Sequence, residues 1–314
     1  MVSKTTLFIL DIGVVLVKFD RNATVLSISH GDFDGVASQI VLGNVFKNIE
    51  YVVAEFYTID QKMSAVDSNA YDYVFITDIH PTEVKYLDLA DNIVLIDHHA
   101  SAFHDQSKNR FVISDKKKCA AYLVKWFFEK MYGKEINLSH LNNLIRYAND
   151  YDTWQKKYAK STFINETYKS LHDVVEFRNR FMSGDTRLTE EEISFIRERK
   201  ALFVKTYKEI EVFEFDDVNG CVCICENFPN EIADTLIKKD GYRIVIIRNP
   251  SKGRSSVRHN VEGLDVGALL DKLQYGGGHP YAAGFFERDE SMFYKKVVAI
   301  QEELILCGIG GVLL

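Results

Sequence analysis

Proline is scarce in this sequence, with four among 314 residues, which leaves little room for a disordered linker. Cysteine is sparse too. The five, Cys119, Cys221, Cys223, Cys225 and Cys307, contain no pair at CxxC spacing. Cys221, Cys223 and Cys225 alternate along one apolar run, so a strand would face all three one way, which suits buried reduced thiols better than a zinc tetrahedron. Such thiols fit a reducing cytoplasm. An excess of positive charge is also missing: 38 basic and 45 acidic groups give a formal charge of −7. That balance does not suit a protein that coats long nucleic acid, but it permits a small or short anionic substrate if basic residues gather locally. Long apolar runs are absent as well. Leu7 to Val17 is interrupted by Asp11 and Gly13, and Leu304 to Leu314 holds Gly308, Gly310 and Gly311. Both are too short to span a membrane, and the first makes a poor signal peptide, so the expectation is a cytoplasmic protein.

What is present is a globular composition, 46% hydrophobic and 26% charged, long enough for two domains. The first half reads as strand–loop–helix units. Val25–Ser29, Tyr51–Tyr57, Tyr73–Thr77 and Ile93–Ile96 are apolar almost throughout, as strands buried on both faces of a parallel sheet are. Helical patterns occupy Gly35–Phe46, Cys119–Met131 and Leu138–Asn149. Thr189 to Glu192 is a capping box that opens a charged helix reaching about Lys208. Beyond Glu211 the pattern changes. Strand-like runs flank Asn219-Gly220, a hairpin signal, and are followed by helix, strand, strand, a short helix, a glycine cluster and a last helix from about Ser291. The reading is an α/β chain: a catalytic domain over 1–185 with a mainly parallel sheet, a linker helix over 186–210, and a smaller α/β domain over 211–314.

The chemistry lies just past the strands. His30, Asp32 and Asp34 come after the first, Asp78 after the third, and Asp97, His98 and His99 after the fourth. Strands of an open parallel sheet end on one edge, where ligands bind, so three strands deliver carboxylates and imidazoles to one rim. Asp150 or Asp152, in "YANDYDTW", could close the cluster from the end of a helix. Each motif has a plainer reading alone: HGDFDG as a turn with a helix N-cap, Asp78 as a strand-end cap, His98-His99 as structural. Together and in order, they describe a site for two divalent ions. Carboxylates and imidazoles favour manganese, with magnesium, iron or zinc behind it. Two ions roughly 3.5–4 Å apart activate a water for in-line attack on phosphorus. His80, His104, His140 and His172 read as surface or structural histidines.

These residues carry a resemblance. "SHGDFDG", the aspartate of "FITDIHP", "LIDHHAS" and "YANDYDTW" resemble, in order, four motifs of the DHH phosphoesterase superfamily. "GGGHPYAAGFF" and "SSVRHN" resemble the glycine-rich motif and arginine strand of the DHH-associated C-terminal domain. The resemblance implies a two-domain α/β protein, usually manganese-dependent, with its active site in an interdomain cleft. It implies that His30, Asp32 and Asp78 bind one ion, and that Asp34, Asp78, His98 and a fourth-motif aspartate bind the other, with Asp78 bridging. Asp97 would orient or polarise the histidines, and His99 would sit near the metals or the scissile phosphate. For the fourth motif Asp150 is favoured, as in the exonuclease branch, and Asp152 is retained.

The C-terminal motif reads as an anion grip. Gly276, Gly277 and Gly278 let backbone N–H groups approach an anion, His279 adds a donor, and Arg254 and Arg258 are candidates to clamp a phosphate; the plainer reading is a glycine loop beside a solvated basic face. The compact form is similar to the oligoribonuclease, or nanoRNase, branch. The expected function is hydrolysis of short single-stranded oligonucleotides to mononucleotides, with 3′-phosphoadenosine 5′-phosphate or a linear or cyclic dinucleotide as alternative substrates. A non-catalytic nucleotide-binding protein and a processive exonuclease rank lower. Tyr281 and Trp154 are candidates for stacking on bases. "LFILDIGVVLVKFD" also resembles the first motif of haloacid-dehalogenase-like phosphatases, but Gly13 stands where a second acid belongs, so an N-terminal strand is expected there.

Overall fold

The computed structural model describes residues 19–99, 112–113, 115, 117–171 and 173–309. The expected strand at the N-terminus, with Asp11, and also His104 and His172, lie outside them. The chain forms two compact units, Met1–Ile196 and Arg197–Leu314.

In the first unit the described elements run β1 (Thr24–His30), α1 (Phe33–Val45), β2 (Asn48–Ala54), α2 (Ile59–Ala65), β3 (Tyr73–Thr77), β4 (Ile93–Ile96), β5 (Val112–Ile113), α3 (Ala120–Tyr132), α4 (Asn142–Asp152), α5 (Ala159–Leu171) and α6 (Val174–Phe181). The sheet order is β2-β1-β3-β4-β5, and each described pairing is parallel. Strand periodicity divides the apolar residues between two cores. Val25, Phe75, Val94 and Ile96 pack on one face with side chains of α1, α3, α4 and α6. Leu26, Ile28, Val74, Ile76, Ile93 and Leu95 pack on the other with Ile59 and Met63 of α2. Both faces are covered, which is why the strands carry so few polar residues.

A long helix, α7 (Glu190–Glu209), begins with the expected capping box: the Glu192 amide donates to Thr189 Oγ1 (3.2 Å) and the Thr189 amide to Glu192 Oε2 (2.7 Å). The second unit adds β6 (Val212–Phe215), β7 (Gly220–Ile224), α8 (Pro229–Lys238), β8 (Ile244–Asn249), β9 (Arg254–His259), α9 (Val266–Lys272), β10 (Gly276–His279), β11 (Ala282–Phe286) and α10 (Glu290–Leu306). Its mixed sheet has the order β10-β11-β9-β8-β7-β6. The β6–β7 hairpin turns through a 3-10 segment, Asp216–Val218, with Asn219 at a left-handed φ of 49°, and Gly220 of the expected Asn-Gly turn already opens β7. Cys221, Cys223 and Cys225 are free, buried and packed with α8 on one face, and Cys307 is exposed.

The glycine cluster differs from the loop expected of it. Gly276–His279 is an edge strand, antiparallel to β11. At Gly278, φ is 148° and a Cβ would stand 2.6 Å from the Ala282 carbonyl oxygen, so the glycine allows the two strands to close up.

Candidate metal centre

The parallel register aligns the strand ends. Ser29 pairs with Thr77 and Thr77 with Ile96, so His30, Asp78 and Asp97 fall on one rung past the carboxyl edge. Asp78 leaves its strand with a left-handed φ of 59° while its amide still donates to the Ile96 carbonyl (3.1 Å). Aspartate tolerates this conformation better than most residues, and here it turns the carboxylate off the strand axis.

The HGDFDG stretch joins β1 to α1. Asp32 caps α1, accepting from the Gly35 amide (3.0 Å), so the plain N-cap reading also holds. Gly35 packs so tightly on the preceding strand that a Cβ would sit 2.1 Å from the His30 carbonyl oxygen. Tyr168 of α5 donates its hydroxyl proton to the Gly31 carbonyl and ties the loop from outside. Asp34 reaches across to α3, whose first residues have no side-chain cap of their own. It accepts from the Ala120 amide (2.7 Å) and the Ala121 amide (2.9 Å). A carboxylate is thereby seated at a helix N-terminus, where the dipole favours it.

Two ligand-capable groups result. His30, Asp32 and Asp78 form one, with His30 Nδ1 at 3.0 Å from Asp32 Oδ2 and 3.9 Å from Asp78 Oδ2. Asp34, His98 and Asp152 form the other, with His98 Nε2 at 3.9 Å from Asp34 and 3.5 Å from Asp152. Asp78 faces both, since its other oxygen, Oδ1, lies 3.2 Å from His98 Nε2. Asp78 also groups with Asp97, His98 and His99.

Asp97 is fully buried between imidazoles. Oδ1 accepts from the His98 amide (2.8 Å) and meets His99 Nδ1 (2.6 Å), while Oδ2 meets His80 Nδ1 (2.6 Å). His80 is therefore not a surface histidine, and it is buried as well. Its only sequence signal is its position two residues past Asp78. Glu55, at the end of β2, was also not foreseen: its Oε2 lies 3.5 Å from His30 Nε2, on the side of the ring away from Asp78. His140 does lie at the surface, against Asn44 Oδ1 (3.0 Å).

The two fourth-motif aspartates part ways. α4 extends through Asp152, and a helical step of two turns their side chains about 200° apart. Asp150 accepts from the Lys157 amide (2.9 Å), the Tyr158 amide (3.1 Å) and Ser161 Oγ (2.7 Å), which commits it to the loop after α4. Asp152 joins the cluster. Its Oδ2 and Asp78 Oδ2 are buried without a hydrogen-bond partner among the described residues.

This packing sets the electrostatics. Burial, and then the carboxylates of Asp34 and Asp32, push Asp78 and Asp152 well above the usual aspartate range. Burial acts against the charge of His30, yet Asp32 and Glu55 hold it up at about 10. Burial acts against ionised Asp97 as well, but its bonds to His80 and His99 outweigh it and carry the carboxyl well below its ordinary range. At His99 burial again opposes the charge and Asp97 overcomes it, raising the imidazole, whereas burial lowers His98 and favours its neutral form. Buried carboxylate oxygens without donors, beside a neutral imidazole, form a donor set that fits divalent cations of the manganese or magnesium kind.

The residues expected to hold substrate lie in the second unit. Arg258 is committed within it: Nη2 donates to Asn230 Oδ1 (2.7 Å), and Nη1 to the carbonyls of Val257 (2.9 Å) and Ala283 (3.4 Å). Arg254 is exposed, and a Cβ added at Gly277 would meet open space. Tyr281 is 60% exposed and stacks on His259, while Trp154 carries Lys156 Nζ 3.6 Å above its ring.

Residues 24–149 match the DHH family, N-terminal domain. The matched segment holds the strand-end motifs, from His30 to His99, and resembles that family. No curated protein matches the sequence. The fold is similar to that of RecJ from Thermus thermophilus in complex with Mn2+, at 16% identity and a TM-score of 0.57. That likeness covers 90% of this chain and 52% of RecJ, so the chain spans about half of its length. A pGpG-specific phosphodiesterase, PggH, from Vibrio cholerae is similar at 14% identity and a TM-score of 0.54, covering 89% of this chain and 98% of that one. An exopolyphosphatase-related protein from Bacteroides fragilis is similar at 15% identity and 0.52, covering 90% and 93%.

Proposed function

We propose that this protein is a metal-dependent phosphodiesterase that hydrolyses short single-stranded oligonucleotides to mononucleotides. The observation that supports this most is Asp78, a buried carboxylate set between two ligand groups with one oxygen toward each, one of them without a hydrogen-bond partner among the described residues. His30, Asp32 and Asp78 would hold one divalent ion, and Asp34, Asp78, His98 and Asp152 the other. Manganese is the first choice and magnesium the second. When bound, the pair supplies an activated water and neutralises the charge that develops on the phosphorane-like transition state. The protein's own part is positioning. Asp97 fixes the ring orientation of His80 and His99, and His99, whose imidazole pKa Asp97 raises, would offer an N–H donor to the scissile phosphate. Burial keeps His98 neutral, the form that binds a cation. Arg254 and the β10 glycines are the candidates to grip a terminal phosphate.

The similarity to PggH keeps a dinucleotide in view as the physiological substrate, and 3′-phosphoadenosine 5′-phosphate stays an alternative. A purely binding role is disfavoured, because buried carboxylates without partners are costly to retain unless a cation repays them. One comparison tests the reading. The protein is incubated with Mn2+ and end-labelled RNA and DNA of two to about twenty-four nucleotides, with the bisphosphate and cyclic dinucleotides alongside. The fastest turnover is expected on the shortest linear chains; rates that climb with length would overturn it.

A further inference from the structure

The turn after β2 sets an exposed aromatic ring against the imidazoles of the metal centre. The Phe56 ring centroid lies 5.2 Å from that of His30, 5.3 Å from His99 and 6.1 Å from His80, tilted or edge-on to each. Phe56 is nonetheless 43% exposed, and Tyr57 beside it is 77% exposed. The ring sits on a rigid turn. Thr58 Oγ1 accepts from the Glu55 amide (2.9 Å), and the Thr58 and Ile59 amides donate to the Glu55 carbonyl (2.8 and 2.9 Å). Ile59 then starts α2 and is fully buried. A phenyl group fixed in place and half in water forgoes much of its burial energy.

We propose that Phe56 is the stacking platform for the nucleobase that adjoins the scissile phosphate. This rests on the nucleotide-phosphodiester reading above. The imidazoles mark where the phosphate would lie, and a base is joined to its phosphate through a single ribose. A ring in contact with three of those imidazoles is thus placed where the base falls. Phenyl offers a flat apolar face and no hydrogen-bonding group, so it accepts any of the bases and makes the site favour base-bearing substrates over bare sugar phosphates or inorganic polyphosphate. It also supplies, within the first unit, the stacking surface that Trp154 and Tyr281 were expected to provide.

The test uses full-length, Mn2+-loaded protein and two ligands that it cannot turn over as diesters, adenosine monophosphate and ribose 5-phosphate, with Kd read by calorimetry. Wild type is expected to prefer the nucleotide by about tenfold to a hundredfold, the range of one base–aromatic stack. Phe56→Ala should erase that preference while leaving the ribose 5-phosphate Kd in place. Phe56→Leu, which keeps apolar packing but has no flat face, should erase it as well, and Phe56→Trp should restore it. The proposal is overturned if wild type shows no preference, if either truncation retains it, or if both ligands weaken equally, which would mark Phe56 as packing for the histidines. Hydrolysis is scored separately. A Phe56-dependent base preference in a protein that cleaves no oligonucleotide would sink the proposed function and spare the platform, and cleavage without that dependence would do the reverse.

Discussion

The two sheets of this protein place their charged residues differently. At the carboxyl edge of the first, Asp34, Asp78, His80, Asp97 and His98 are buried close together, and Asp78 and Asp152 each keep an oxygen with no hydrogen-bond partner among the described residues. In the second, Arg258, the half-buried arginine of the expected clamp, is bonded to Asn230 and to two backbone carbonyls. The first arrangement concentrates buried charge and calls for cations; the Arg258 guanidinium is satisfied from within its own unit. Folded proteins seldom leave buried polar atoms orphaned, so where they do, the missing partner is the most informative feature of the site.

The contrast is broken most severely at its centre. Asp78→Asn keeps the size of the side chain but removes the charge shared by both groups. Turnover should fall by about a thousandfold or more, equivalent to about 4 kcal/mol of transition-state stabilisation. Mn2+ stoichiometry, counted by titration, should drop below two. Retention of two ions at wild-type affinity would show that Asp78 does not bridge.

A sharper division is expected within α4. Asp152→Asn should weaken Mn2+ binding and lower turnover by about a hundredfold, with little change in melting temperature, since the wild-type oxygen has no hydrogen bond to lose among the described residues. Asp150→Asn should do the opposite. It breaks charge-assisted bonds to two amides and a hydroxyl, which costs about 2–3 kcal/mol of stability, while the folded fraction binds metal normally. Exchange of these two phenotypes would make Asp150 the ligand.

Protons give a third handle. Without ions, the folded protein holds protons on Asp78 and Asp152 to higher pH than the unfolded chain does. Raised carboxyl values therefore make metal-free stability fall as pH climbs above the ordinary aspartate range. Cations expel those protons. Adding Mn2+ to weakly buffered protein near neutral pH should acidify the solution, and the affinity should rise with pH. Denaturant melts with and without Mn2+ across pH 5 to 8 should diverge as pH rises; parallel curves would count against these two aspartates as the source.

Much of the first region was legible in the sequence because parallel strands announce themselves twice, by unbroken apolar runs and by the polar residue that comes after each. Tyr73–Thr77 and Ile93–Ile96 are the strands expected, and the strand ends do converge. Failures occurred where register or backbone conformation decides. The second strand is Asn48–Ala54 rather than Tyr51–Tyr57, because the chain turns at Glu55 under bonds from Thr58 that no periodicity encodes. That shift is what brings Glu55 and Phe56 to the site. The choice between Asp150 and Asp152 hung on where α4 ends, and helix ends are poorly marked when no glycine or proline stops them. His80 went unread because a histidine two residues past a strand carries no pattern. In the second region the glycine cluster was read by composition as a loop, but its neighbours at Ala282–Phe286 offer a strand to pair with, and pairing prevailed.

The smallest expected effects lie in that second region and separate its two arginines. Arg258→Ala removes three hydrogen bonds and leaves the Asn230 side chain and two carbonyls short of a donor, so it should cost about 1–2 kcal/mol of stability. Burial has pushed the Arg258 guanidinium down to about 10, which keeps it cationic at neutral pH, so its charge is not what the substitution tests. Arg254 is exposed and its loss should change stability by less than about 0.5 kcal/mol. If Arg254 grips a terminal phosphate, Arg254→Ala should raise KM for dinucleotides a few-fold, leave kcat unchanged, and flatten the dependence of KM on salt. Melting temperature and KM, measured for both variants, decide the matter. An unchanged KM in Arg254→Ala with a raised KM in Arg258→Ala would mean that the substrate competes with Asn230 for the Arg258 guanidinium, and the second region would then prove as incomplete without its ligand as the first.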